Sequence, residues 1–184
     1  MIKEHLLALD ASTTSTGWAI YDLKNYELLE SGSITPKGGD YRKNFLARAI
    51  CMKDEIAKLK ETYNITIVAI EDINVVVSQK GAKNLAMADG IMLSNFTHNM
   101  INFVNVSTWR KFYKLGKMTS KEYKEFSMRL VLEKFGKNVD DNESDAILLG
   151  NYFVNYFVIN IHSWILNKIS LYETLKSILA NVLR

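Results

Sequence analysis

The chain has 184 residues, 48% hydrophobic and 23% charged, which describes one globular domain with a sizeable core. Its single thiol, Cys51, excludes an internal disulfide framework and any multi-cysteine metal site within one subunit, and fits a reducing cytoplasm. Net charge is only +3, but Arg110 to Lys137 holds nine basic and three acidic residues, a local +6 that suits an anionic partner.

The chain opens with MIKEHLLALD, which shows no secretion-signal pattern and runs directly into a strand predicted over residues 5–10. Leu6 to Leu9 are apolar without a break, as in a strand buried on both faces. That strand ends in Asp10, and Ser12 to Thr16 then form a hydroxyl-rich turn before Gly17, which permits close backbone approach. Further strands are predicted over 17–23 and 27–34. PKGGDYRK is a loop, with Asp40 as the expected cap of a helix over 41–61, where Phe45, Leu46, Ala49, Met52, Ile56 and Leu59 recur at helical spacing. ITIVAI, residues 65–70, is a second strand apolar on both faces, and it too ends in an acid, Glu71.

A helix over 80–100 and a strand over 102–106 follow, then a short helix capped by Ser107 or Thr108 that carries Trp109, Phe112 and Tyr113. After Gly116, Thr119 or Ser120 starts a basic amphipathic helix to Phe135. Residues 140–143 form an acidic turn before a helix through Asp145, and the remainder is helical with a break near 160–168. The apolar run Phe153–Leu166 contains Asn155, Asn160, His162 and Ser163 and is shorter than the roughly 20 residues of a membrane span. It reads as a buried helix or a subunit contact, and the expectation is a cytoplasmic protein with no membrane partner. With no linker composition, residues 1–184 form one α/β domain with a C-terminal helical extension from about residue 160.

An unpaired buried carboxylate is costly, so two strands ending in acids call for a cation, a basic partner or water. If the first and fourth strands are parallel neighbours, a spacing of about 5 Å brings Asp10 and Glu71 within reach of one ion, at the sheet edge where open α/β sheets bind ligands. Asp145 is the third member. An all-oxygen set favours Mg²⁺ or Mn²⁺ over Zn²⁺, and His5, His98 and His162 are too scattered to be ligands. Each acid alone has an ordinary explanation: Asp10 capping the turn, Glu71 pairing with a Lys, Asp145 favoured in a helix's first turn.

LALDASTTSTGWAI, IVAIEDI and NESDAILLG together resemble the motifs of RuvC-type Holliday junction resolvases, over about residues 4–158. The compact, divergent form resembles a bacteriophage-borne member. The resemblance implies an RNase H-like fold, with a mixed five-stranded sheet flanked by helices, and a dimeric endonuclease. It assigns Asp10, Glu71 and Asp145 as metal-ligating, catalytic acids. The family places a further ligand three residues before the last acid, where this chain has Asn142. Asp141, on the same helical face as Asp145, and Glu143, if the helix starts at Ser144, are equal candidates to supply the charge, with Asn142 an auxiliary ligand or cap. Asn74 stands where some relatives carry an aromatic wedge, and the helix bearing Ala86, Ala88 and Gly90 is implied at the dimer interface, with packing on its own sheet the equal alternative.

Phosphodiester hydrolysis with two Mg²⁺ (or Mn²⁺) ions about 3.5–4 Å apart would use one to activate water and the other to stabilise the leaving oxygen. Asp10 would bridge them, and the resemblance implies 5′-phosphate and 3′-hydroxyl ends. Arg110, Lys111, Lys114, Lys117 and Lys121 are candidates to neutralise flanking phosphates, and Lys80 and Lys83 to reach the junction centre. Tyr113 and Tyr123 suit either base stacking or packing. Paired nicks in a four-way junction fit a C2 homodimer. A retired, junction-binding relative is the alternative, with Asn142 in its favour. An ATPase of the actin and sugar-kinase type would need a second domain and a second glycine-rich phosphate loop, so no nucleotide cofactor is expected.

Overall fold

Alternation along the first strand sorts its side chains into two cores. In β1 (His5–Ala11), Leu6 and Ala8 point to one helical layer and Leu7 and Leu9 to the other, all fully buried. The computed structural model describes residues 3–38, 44–73, 79–96, 100–116 and 118–156. Its sheet runs β3-β2-β1-β4-β5, with β2 (Thr16–Asp22), β3 (Leu28–Ile34), β4 (Ile65–Glu71) and β5 (Met100–Val104). β1 pairs antiparallel with β2 and parallel with β4, and β4 pairs parallel with β5. The required neighbourhood of the two acid-ending strands is therefore present.

Helices α1 (Phe45–Thr62) and α2 (Gln79–Leu93) cover the face of Leu7, Leu9, Ile20, Val68 and Ile70. The other face is covered by α3 (Val106–Phe112), α4 (Ser120–Phe135) and α5 (residues 141–156), with Trp109, Val131 and Ile147 packed on Leu6, Ala8, Tyr21 and Ala69. The mixed five-stranded sheet with helices on both faces is the expected architecture. Tyr21 fastens α5 to the sheet, its buried hydroxyl donating to Ile147 O at 2.8 Å. No helix among the described residues is long and apolar enough to cross a membrane.

Several boundaries differ from the sequence reading. α1 is capped by Asn44, whose Oδ1 accepts from Ala47 N, and the expected cap Asp40 lies outside the described residues. The helix placed over 80–100 ends at Leu93. Ser94 Oγ turns back to Ile91 O, Asn95 Nδ2 donates to Lys53 O of α1, and buried Phe96 closes a single 3₁₀ turn. β5 accordingly begins at Met100. Asn105, rather than Ser107 or Thr108, caps α3 by accepting from Ser107 N at 2.9 Å. Thr119 caps α4 in a reciprocal box with Glu122, and Gly136 ends that helix at φ 66°. α5 starts within the supposed acidic turn, because Asp140 Oδ1 accepts from Glu143 N and caps it at residue 141. Asn74, Lys117, His98, His162 and the C-terminal extension lie outside the described residues.

Asp89 of α2 is 4% exposed, on a helix that also buries Ala88, Met92 and Leu93, and its Oδ1 has no hydrogen-bond partner among the described residues. Burial pushes its carboxyl from 3.8 up to about 7. Between those values the folded state holds a proton that the unfolded state has released, so stability falls as pH rises from about 4 to about 7. Asp89→Asn should flatten thermal midpoints between pH 5 and 8 and be on the order of 2 kcal/mol more stable than wild type at pH 8. Parallel melting curves across that range would refute this.

Candidate active site

Leu9 lies opposite Ile70 in the parallel β1–β4 ladder, so the next residues, Asp10 and Glu71, leave the sheet side by side. Asp10 is also opposite Gly17 on β2. Gly17 is where α5 is laid onto the sheet: a Cβ there would overlap the Asn142 carbonyl and come within 2.9 Å of Glu143 N. This backbone contact sets the start of α5 over the edge and places Asp145, in the helix's second turn, with the other two acids.

Among the described residues none of the ordinary roles for these acids is seen. The hydroxyl turn caps itself, Ser12 Oγ accepting from Thr14 N and Ser15 N and donating to Ser15 O. Glu71 Oε2 accepts from Trp109 Nε1 at 3.1 Å, not from a Lys. Asp145 lies beyond the first turn, and its Oδ1 is buried without a hydrogen-bond partner among the described residues.

The three carboxylates retain some access to solvent but are enclosed enough that burial is the largest influence on each. Burial, then repulsion from Asp145 and Glu71, holds Asp10 well above the usual carboxylate range. Glu71 is raised by burial and by Asp145, against the pull of Arg110 and the Trp109 indole. Asp145 is raised by burial, against the influence of Ser127 and Arg110. Ser127, buried on α4, lies near enough to favour the ionised form, yet no hydrogen bond of ordinary geometry joins the two and Oδ1 stays orphaned.

Asp141 is held below the usual range by its hydrogen-bonded ion pair with Lys124, and its charge still reaches Asp10 and Asp145. Glu143 turns the other way, to Ser31 Oγ of β3 at 2.8 Å. Asn142 meets Gly17 through its backbone. Of the two candidates for the fourth charge, Asp141 is thus the one brought beside the triad.

Among the described residues no three carboxylates, His or Cys form a ready-made cage for a metal ion. The donor chemistry nevertheless fits a hard divalent cation: three oxygen-only side chains that repel one another and one orphaned buried oxygen.

The basic candidates divide into groups. Lys111 and Lys114 are exposed at the end of α3, and Lys121 is exposed at the start of α4, 3.7 Å from Glu125. Arg110 and Lys111 line an open cleft of about 470 Å³ between α3 and α4, with Leu115, Gly116 and Tyr123. Arg110 also turns inward, with Nη2 3.8 Å from Asp145 Oδ2. Lys80 and Lys83 are exposed at the start of α2, where Ala86 and Gly90 face outward and Ala88 is buried in the core. Tyr113 is committed to packing: its hydroxyl lies 2.8 Å from Leu148 O and 2.9 Å from the Asn151 side chain. The Tyr123 hydroxyl donates to Gly116 O, and its ring lies under the Arg110 guanidinium. Trp109, Lys124 and Ser127 are neighbours of the acids that the sequence does not reveal. Their periodicity marks them only as helical residues, and contact with Glu71, Asp141 and Asp145 depends on how α3, α4 and α5 pack.

The structure is similar to Thermus thermophilus RuvC solved in complex with a Holliday junction substrate, with a TM-score of 0.66 at 10% identity, covering 85% of this chain and 96% of that one. A second structure of Thermus thermophilus RuvC gives 0.64 at 12% identity, with the same coverage. At such identities the likeness is one of fold. No curated protein matches the sequence. Residues 3–160 match the family described as Lactococcus phage M3 protein. The chain therefore belongs to the Lactococcus phage M3 protein family, and its fold is the RNase H-like fold of RuvC.

Proposed function

We propose that this protein is a phage-borne, Mg²⁺-dependent endonuclease that resolves four-way DNA junctions by paired symmetric nicks, leaving 5′-phosphate and 3′-hydroxyl ends. The observation that carries this reading is the gathering of Asp10, Glu71 and Asp145 at one sheet edge beside a basic cleft. Asp10, Glu71 and Asp145, with Asp141 nearby, would hold one or two divalent ions, which supply an activated water and charge stabilisation at the scissile phosphate.

The chain's own residues perform the rest. Trp109 fixes the Glu71 carboxylate through its indole N–H, and the Gly17 contact fixes Asp145 against β1 and β2. Lys111, Lys114 and Lys121, with Lys117, neutralise phosphates flanking the cut, while Lys80 and Lys83 reach toward the junction centre. Binding should therefore weaken steeply with added salt. A C2 homodimer would present two such sites to one junction, with the exposed Ala86 and Gly90 face of α2 allowing close approach. The protein would act in the host cytoplasm.

The test is nicking of a synthetic four-way junction against matched duplex, in Mg²⁺, in Mn²⁺ and in EDTA. Paired cuts confined to the junction and dependent on the ion are the expected result. Junction binding without cutting under either ion would instead make Asn142 the mark of a retired site.

A further inference from the structure

Arg110 sits on the border between the carboxylates and the α3–α4 cleft. Its Nη2 is 3.8 Å from Asp145 Oδ2, and its side chain is 27% exposed. The guanidinium lies 4.5 Å from the Tyr123 ring centroid and 5.2 Å from that of Trp109. Trp109 is fully buried and itself tied to Glu71. A planar cation between aromatic faces and a carboxylate is well held, since stacking and charge act on the same group. Lys124, another cation near the cluster among the described residues, is occupied by Asp141.

We infer that Arg110 is the resident cation of the metal-free carboxylate cluster, held by Trp109 and Tyr123, and that a divalent ion entering the site must compete with it. The inference rests on the nuclease reading above. In metal-free protein the guanidinium then offsets part of the charge at the acid cluster, through its contact with Asp145. The cleft residues around Arg110, Lys111 among them, lie on the side a phosphate would approach, so bound DNA would offer Arg110 another partner and ease entry of the ion. Ion binding and DNA binding become coupled through one side chain.

The experiment measures Mn²⁺ binding without DNA at pH 8, by the electron paramagnetic resonance signal of free Mn²⁺, together with thermal melting in EDTA and in Mn²⁺. Arg110→Gln should bind Mn²⁺ about tenfold more tightly than wild type, because a like charge near the ion is gone. It should melt lower in EDTA and gain more from Mn²⁺. Arg110→Lys keeps the charge without the planar stack and should show a smaller gain of the same sign, which serves if the Gln variant does not fold. Mn²⁺ affinity unchanged or weakened in a folded variant overturns the inference. Asp10→Asn identifies the site: if wild type and Arg110→Gln show no Mn²⁺ binding that Asp10→Asn removes, the metal-centre reading itself fails.

Discussion

Asp10→Asn is expected to lower junction cutting by on the order of a thousandfold, about 4 kcal/mol of transition-state stabilisation, while leaving a folded protein that still binds junctions. The same change should make the metal-free protein more stable. Burial and both other carboxylates raise Asp10, and Arg110 pulls against them. Asn keeps the shape and removes the charge. A relief of about 1 kcal/mol corresponds to a rise of roughly 2–4 °C in the thermal midpoint for a domain of this size. The sign depends on pH in a defined way. The folded carboxyl is raised above its unfolded value, so its destabilising effect is absent at low pH, where both states are protonated, and grows as pH rises through the unfolded pKa. The variant's advantage in EDTA should therefore be larger at pH 8 than at pH 4.5, and should shrink or reverse when Mn²⁺ is added to both proteins. Loss of cutting with a lower midpoint in EDTA would mean that Asp10 holds the fold together and is no evidence for an ion site.

The acids were legible because their cost is local. A carboxylate closing a run such as Leu6–Leu9 or Ile65–Ile70 conflicts with its own strand, and that conflict is visible without knowing the neighbours. The parallel pairing of those strands converts two separate conflicts into one site. The partners of the acids were not legible in the same way. Trp109 and Arg110 occupy one turn of α3, and nothing in their spacing says that the indole meets Glu71 while the guanidinium meets Asp145. The charge run from Arg110 to Lys137 suits an anionic partner, yet its first member and Lys124 are engaged with carboxylates of the chain itself. Charge counts give the sign of a surface but not which charges are already paired. The end of α2 at Leu93 was hidden for a related reason: Asn95 stops the helix by reaching Lys53 of another helix, a contact with no signature in local propensity.

Gly17 was identified as a point of close approach, and the structure shows what approaches it. The carbonyl of Asn142 and the amide of Glu143 rest where a side chain would be, so Gly17→Ala cannot be absorbed by rotating a neighbouring side chain. Either β2 shifts, which disturbs its pairing with Asp10, or α5 lifts at its first turn, which moves Asp145 and strains the hydrogen bond from Tyr21 to Ile147. Overpacking against backbone of this kind costs about 3 kcal/mol or more, a fall of roughly 6–12 °C in midpoint. Gly90→Ala is the matched control. Nothing lies within 4 Å of a Cβ there, and the residue is exposed in the interior of α2. That change should stabilise by about 0.5–1 kcal/mol through helix propensity. Melting of the two variants side by side separates the crowded contact from any general effect of adding a methyl group. Cutting assayed well below both midpoints then separates stability from geometry. Gly17→Ala should remain impaired there because Asp145 is displaced, whereas any loss of cutting in Gly90→Ala would report the α2 face of the proposed homodimer. A Gly17→Ala protein that melts and cuts like wild type would show that α5 is not seated on β2, and that Asp145 owes its place to some other contact.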